Sequence, residues 1–148
     1  MPHKVFIDRG YISAEQENVD PMQGIYKKVF VFEVNMPMFI ATQLTTLKNY
    51  EPTREFVNPN NKKAFLSIID ALETYRLLKL QGVDDRTARM VVPPATYIKF
   101  TLRMSLSEIK SLYKRVNIDT CEYIRVLNNI TVEKAPKMCQ LLKMYHFE

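Results

Sequence analysis

The stretch from Pro93 to Glu108 constrains the fold more than any other part of the chain. Pro93 and Pro94 lack the amide hydrogen and push their predecessors out of the helical region, so a helix before them must stop. From Thr96 the period is two: Ile98, Phe100, Leu102 and Met104 point one way, Tyr97, Lys99, Thr101 and Arg103 the other. That alternation belongs to a strand with one buried face. Ser105, with Glu108 three residues on, is a capping box that starts a helix.

The remaining segments supply what such a strand needs beside and beneath it. Lys4–Ile12 reads as a strand rich in β-formers, and 13–24 as a loop containing Pro21 and Gly24. Tyr26–Asn35 carries a near-continuous apolar run, as in a strand covered on both faces. Pro37 opens a helix with Phe39, Ile40, Gln43, Leu44 and Leu47 near helical spacing. Residues 50–61 hold Pro52, Pro59 and asparagines, and read as a loop. Asn60 or Asn61 caps a long helix over about 62–81, in which Phe65, Ile68, Ile69, Leu72 and Tyr75 define a buried face. Gly82 provides its left-handed cap, and Asp84 or Asp85 starts a short helix carrying Arg89. Asp119 or Thr120 caps a helix over about 121–129, with Ile124 and Leu127 inward, and Pro136 opens a last one. The expectation is one α+β domain spanning 1–148, an antiparallel sheet of three or more strands packed by several helices.

Composition narrows the function. With 47% hydrophobic residues in 148, the chain can bury a sizeable core and is not disordered. A net charge of +5 suits an anionic ligand or surface, and equally a solvated basic exterior. No apolar run approaches the ~20 residues of a membrane span, and MPHKVFIDRG has no signal-peptide core. Cys121 and Cys139 lack metal spacing and read as reduced, buried thiols of a cytoplasmic protein. His3 and His146 lie at the ends, so Ser-His-Asp or Cys-His catalysis is not expected, nor is a zinc site. Three glycines cannot build a phosphate loop. Arginine is the suggestive residue type, because guanidinium grips phosphate through paired hydrogen bonds; Arg54 sits in the proline-rich loop, Arg89 on the short helix and Arg115 at the end of the capped helix, and helix-end salt bridges would equally account for Arg89 and Arg115.

The run GVDDRTARMVVP at 82–93, followed by TYIKF at 96–100 and LSEI at 106–109, resembles the C-terminal half of the flavin-dependent thymidylate synthases, the ThyX family; PMFIATQ at 37–43 resembles the segment leading into that family's signature. The resemblance covers most of the chain and implies a ThyX-like fold, a homotetramer with sites between subunits, and a site for a pyrimidine nucleotide such as deoxyuridine monophosphate (dUMP). It implies nucleotide contacts from Gln43 and Arg89, and, with one-residue gaps, from Arg54 and Arg115. The flavin side departs from the family. Thr46, Leu47 and Lys48 stand in place of Arg-His-Arg, Ser105 and Ser107 in place of an Asn-x-Arg pair, and GIYKKV at 24–29 in place of a histidine-rich stretch. The helix that joins the first two strands in the family is absent.

These departures imply a degenerate flavin site, and no cofactor is expected. The first expectation is therefore a ThyX-like nucleotide-binding protein, with any catalysis and its residues left open. An active, divergent synthase using flavin adenine dinucleotide (FAD) to methylate dUMP is the second. A basic α+β module binding nucleic acid or protein through Lys99 and Arg103, interleaved with Tyr97 and Thr101, is the third; a membrane partner is not expected, and nucleic acid ranks last.

Overall fold

The computed structural model describes residues 3–14 and 29–145. Its centre is the expected strand, β5 (Thr96–Ser105), paired antiparallel with β3 (Val29–Pro37) along its whole length. The register sets Phe32 opposite Leu102, Val34 opposite Phe100 and Met36 opposite Ile98, so the apolar sides of both strands share one face. All six of those side chains are buried, whereas Lys99, Thr101 and Arg103 on the other face are exposed. Tyr97 shares their side of the strand but is buried near the sheet's end, over Gly10.

Three strands complete an antiparallel five-stranded sheet in the order β1-β2-β3-β5-β4. The expected single strand over Lys4–Ile12 is instead a hairpin, β1 (His3–Ile7) and β2 (Gly10–Ala14). It reverses at Asp8–Arg9, where Asp8 takes φ 50°, a conformation Asp tolerates better than most side chains. The segment 50–61, expected as a loop, contains β4 (Glu51–Phe56), which pairs with the first residues of β5. Pro52 is compatible with β4 because an edge strand has a side on which no amide need donate. β3 is buried on one face only along its first half: Val29 and Glu33 are exposed and Val31 is half-buried, so the expected two-sided cover holds only towards Asn35 and Pro37. Residues 15–28, which include most of the expected 13–24 loop, lie outside the described residues.

The apolar sheet face packs on α1 (Met38–Leu44), α4 (Leu106–Ser111), α5 (Cys121–Lys134) and α6 (Pro136–Leu141), which contribute Ile40, Leu106, Ile109, Leu127, Ile130 and Cys139 to a single core cluster. The helix starts are largely local affairs. Pro37 precedes α1, whose Phe39 amide donates to the Pro94 carbonyl at 3.0 Å. The capping box is complete: the Glu108 amide donates to Ser105 Oγ at 3.1 Å, and the Ser105 amide to Glu108 Oε1 at 3.3 Å. Ser105→Ala is expected to lower stability by about 1 kcal/mol through loss of that cap, read as a lower denaturation midpoint with unchanged slope. α5 runs to Lys134, beyond its expected end, because only Pro136 stops it. Neither Asp119 nor Thr120 caps it through a side chain; Asn117 Oδ1 accepts from both their amides, an Asx turn one step earlier. Cys139 is buried, but Cys121 is exposed, since it occupies the first position of α5 beside the turn.

The remaining long helix, α2 (Lys62–Leu80), departs furthest from expectation. Its cap is Asn61, whose Oδ1 accepts from the Ala64 amide, and Gly82 ends it at φ 81°. No residue of α2 is buried: Phe65, Ile68, Leu72 and Tyr75 are half-covered, and Ile69 is exposed. The reason is position. α2 lies outside the edge strand β4 and against α3 (Asp85–Ala88) and the 3-10 turn Arg89–Val91, not over the sheet face. The Phe56 and Phe65 rings meet at 5.6 Å between centroids, and α2 supplies nothing to the core cluster. Among the described residues no helix is long and apolar enough to cross a membrane.

Candidate functional site

The offset position of α2 creates a groove between it and β4. The groove encloses about 650 Å³ and is lined by Glu51, Thr53, Arg54 and Phe56 from the strand and by Ile69, Leu72, Glu73, Tyr75, Arg76 and Lys79 from the helix. That size lies within the usual range for small-molecule sites. The strand is irregular here, with a register shift between Pro52 and Phe56. The Thr53 hydroxyl donates to the Tyr97 carbonyl at 2.9 Å and accepts from the Glu55 amide at 3.2 Å, so the bulge is held by a side chain.

The groove's charges are unequal in their freedom. Arg76 grips Glu73 through two hydrogen bonds, of 2.5 and 3.1 Å, which hold the Glu73 carboxyl below its ordinary range. Lys79 is paired with Asp85, and the hydrogen bond holds that carboxyl low as well. Arg54 is exposed and, among the described residues, has no hydrogen-bonding or ion-pair partner. Burial raises the Tyr75 hydroxyl above its ordinary range, with Asp85 adding to the shift, so it stays protonated at neutral pH. The groove thus offers one uncommitted guanidinium beside two aromatic rings, Phe56 and Tyr75, and, among the described residues, one unpaired carboxylate, that of the exposed Glu51.

Arg89 belongs to the same neighbourhood but is engaged. Its Nη1 donates to the Tyr50 carbonyl at 3.3 Å, and its guanidinium carbon lies 4.6 Å from the centre of the Tyr50 ring. This half-buried side chain braces the 3-10 turn against the start of β4. Its charge still reaches Tyr75 and Lys79, which places it near the Lys79 end of the groove.

Gln43 and Arg115 lie elsewhere. Gln43 Nε2 donates to the Phe39 carbonyl within α1, and its Oε1 accepts from Asn117 Nδ2 at 2.7 Å. Arg115 ends the 3-10 turn Leu112–Arg115, two residues before Asn117, and is exposed. The four sequence candidates therefore fall into two neighbourhoods, Arg54 with Arg89 and Gln43 with the Arg115 segment. The groove residues Phe56, Tyr75, Arg76 and Lys79 were not among them. Thr53, Phe56 and Val57 carried the signal of a strand there, which the flanking Pro52 and Pro59 masked.

Two other clefts differ in character. One, of about 550 Å³, lies at the end of the sheet and is lined by Asp8, Asp119 and Glu122 together with Phe39, Tyr97 and Tyr123. Arg9 also lines it but is paired with Glu55 at 3.4 Å. Burial raises the hydroxyls of Tyr97 and Tyr123, and the carboxylates of Asp8 and Asp119 disfavour an anion there, while Glu122 is paired with Arg125 at 3.8 Å. The other, of about 510 Å³, is formed by residues 45–49 with Phe100, Thr101 and Arg103; Thr46, Leu47 and Lys48 line it. Ser105 is committed to its helix cap. No family model matches the chain, and no curated protein is significantly similar to it in sequence.

Proposed function

We propose that this chain is a ThyX-like nucleotide-binding protein that takes a pyrimidine nucleotide such as dUMP in the β4–α2 groove. The observation that carries the reading is the placement of the uncommitted Arg54 beside Phe56 and Tyr75. An arginine fork suits a phosphate, and an aromatic wall suits a base. Arg89 and Lys79 add positive potential at one end. Gln43 and Arg115, expected as contacts from the family resemblance, lie apart from this groove within one subunit. The flavin side is read as degenerate: Lys48 is the one cation where the family has Arg-His-Arg, and Ser105 is occupied in its cap. The protein is proposed to be cytoplasmic, homo-oligomeric and independent of a bound cofactor.

Calorimetry with dUMP and with FAD tests this. The parent chain should bind dUMP and bind FAD weakly or not at all. A charge-assisted hydrogen bond to phosphate is worth ~1.5–3 kcal/mol, so Arg54→Ala should weaken dUMP at least tenfold. Arg89→Ala should weaken it by a similar factor, and Arg89→Lys should recover only part, since an ammonium lacks the paired geometry. Because Arg89 also holds Tyr50, its alanine variant should lose ~0.5–1 kcal/mol of stability, which makes Arg54→Ala the cleaner probe. Unchanged dUMP affinity in both alanine variants would remove the groove from consideration. Tight FAD binding would instead favour an active, divergent thymidylate synthase.

One observation favours a second reading, a basic module for nucleic acid. The open sheet face carries exposed Lys99 and Arg103, and Lys4 Nζ lies 4.0 Å from the Tyr11 ring centre and 5.3 Å from that of Phe6, which is 71% exposed. Cations interleaved with exposed rings suit stacked single-stranded bases. Salt-dependent binding of single-stranded DNA, lost in a Lys99→Ala/Arg103→Ala variant, is the outcome that would rank this reading first.

A further inference from the structure

The polar side chains of the β4–α2 groove divide into those committed within the fold and those still open. Arg76 is bound to Glu73, Lys79 to Asp85, and the Thr53 hydroxyl to the Tyr97 carbonyl. Open, among the described residues, are the Arg54 guanidinium, the Glu51 carboxylate and the Tyr75 hydroxyl. Glu51 is the first residue of β4 and is exposed. Lys99 stands opposite it in the β4–β5 ladder, yet the two form no ion pair. The charge of Glu51 reaches the Tyr75 hydroxyl, which burial raises first and Asp85 next. One strand thus presents opposite charges, Glu51 and Arg54, to a groove that also holds the Phe56 and Tyr75 rings.

The two open charges define what a ligand must carry. The step from Glu51 to Arg54 is at most roughly 10 Å of extended backbone. A ligand that satisfies both needs an anionic group and, within a nucleotide's length of it, a hydrogen-bond donor, because a carboxylate accepts and cannot donate. The pyrimidine bases differ on this point. Cytosine presents an exocyclic amino group at its 4-position, a donor that a Glu side chain accepts, whereas uracil presents a carbonyl oxygen in the same place. Uracil keeps its ring N–H, but a carbonyl flanks it on either side, so a carboxylate gains one hydrogen bond there against two repulsive lone pairs.

We propose that Glu51 sets the base preference of the groove, accepting from the exocyclic amino group of a cytosine nucleotide whose phosphate Arg54 holds, so that cytosine is favoured over uracil. This rests on the nucleotide reading of the groove and narrows it, with dUMP the weaker of the two ligands. A neutral amide in the place of the carboxylate offers both an acceptor and donors, and can turn to suit either base. The discrimination therefore lies in the charge and acceptor-only character of Glu51, not in the length of its side chain. Because Glu51 is exposed, the preference is about tenfold, far below the ~10⁴-fold of an enclosed site.

Calorimetry with deoxycytidine monophosphate (dCMP) and dUMP on the parent, Glu51→Gln and Arg54→Ala tests this. The parent should bind dCMP about tenfold more tightly than dUMP. Glu51→Gln should bring the two affinities within about threefold of each other, chiefly by tightening dUMP. Its thermal midpoint should match the parent's, because Glu51 is exposed and outside the core cluster. Arg54→Ala should weaken both nucleotides alike and keep their ratio, since the phosphate is common to them. A parent that binds both nucleotides equally, or dUMP more tightly, overturns the proposal while leaving the groove a nucleotide site. So does a preference for dCMP that persists in Glu51→Gln. If neither nucleotide binds the parent, the groove is not a nucleotide site and the proposal fails with it.

Discussion

Gly10→Ala should lower stability by about 3 kcal/mol or more, beyond the usual effect of an added methyl group. Gly10 opens β2 directly after the Asp8–Arg9 reversal. A Cβ there would lie 1.9 Å from the Asn35 carbonyl oxygen and 3.0 Å from Cε2 of Tyr97. The first neighbour is backbone, and it belongs to β3, which is hydrogen-bonded to β2 on one side and β5 on the other. β3 cannot retreat without breaking both ladders, so the hairpin must shift or detach. The measurement is the thermal or urea midpoint, with a drop of roughly 10 °C expected for a chain of this size. A parent-like midpoint would show that β2 does not approach β3 as closely as this. The same variant should disturb the Tyr97 side chain, which crosses Gly10.

Phe32→Ala should cost ~3–5 kcal/mol. Phe32 is fully buried on a central strand, opposite Ala14 on one side and Leu102 on the other. Removing its ring leaves a cavity among side chains that belong to three strands and so cannot close in from one direction. Typical domains hold only ~5–15 kcal/mol in total, so the loss is a large share of the whole and the midpoint should fall accordingly. The control is Arg103→Ala, one residue beyond Leu102 and exposed, which should change stability by no more than ~0.5 kcal/mol. Urea titration of both variants checks the contrast. A loss below ~1 kcal/mol for Phe32→Ala would mean that the core does not centre on this face.

What was legible in the sequence was short-range. The alternation at 96–104, the caps at Asn61 and Ser105, the left-handed stop at Gly82 and the break at Pro93 all follow from interactions within a few residues. Asp84 likewise caps α3, its side chain accepting from the Thr87 amide at 3.0 Å. Each of these choices is made by a backbone conformation or a local hydrogen bond, which is why residue type alone signals it. The open alternatives at Asn60 or Asn61, and at Asp84 or Asp85, concern which of two adjacent acceptors reaches the amide, and the backbone geometry decides.

The candidate site was legible in residue type but not in grouping. Arginine near a turn suggests anion binding, and Arg54 does line the β4–α2 groove. Nothing local to Arg54 says that Tyr75, some twenty residues on, will stand opposite it, because that depends on where α2 comes to rest. Arg89 read as a phosphate contact or a helix-end salt bridge, and its actual partner, Tyr50, was not foreseen because it is 39 residues away in the chain. Gln43 read as a ligand-facing side chain, yet its amide is taken by Asn117, 74 residues on.

The sequence by itself determined the caps at Asn61, Asp84 and Ser105, the stops at Gly82 and Pro93, and the apolar face of the central strand. Only the tertiary structure decided that Lys4–Ile12 folds back on itself, that the proline-flanked segment 51–56 joins the sheet, and that the longest helix is left without a core to cover. A hydrophobic period reports that a face would gain by being covered; what covers it depends on how many faces compete for one side of a five-stranded sheet. Here α1, α4, α5 and α6 occupy that side, and α2 is left at the edge strand with Leu66, Ile69, Leu77 and Leu80 exposed.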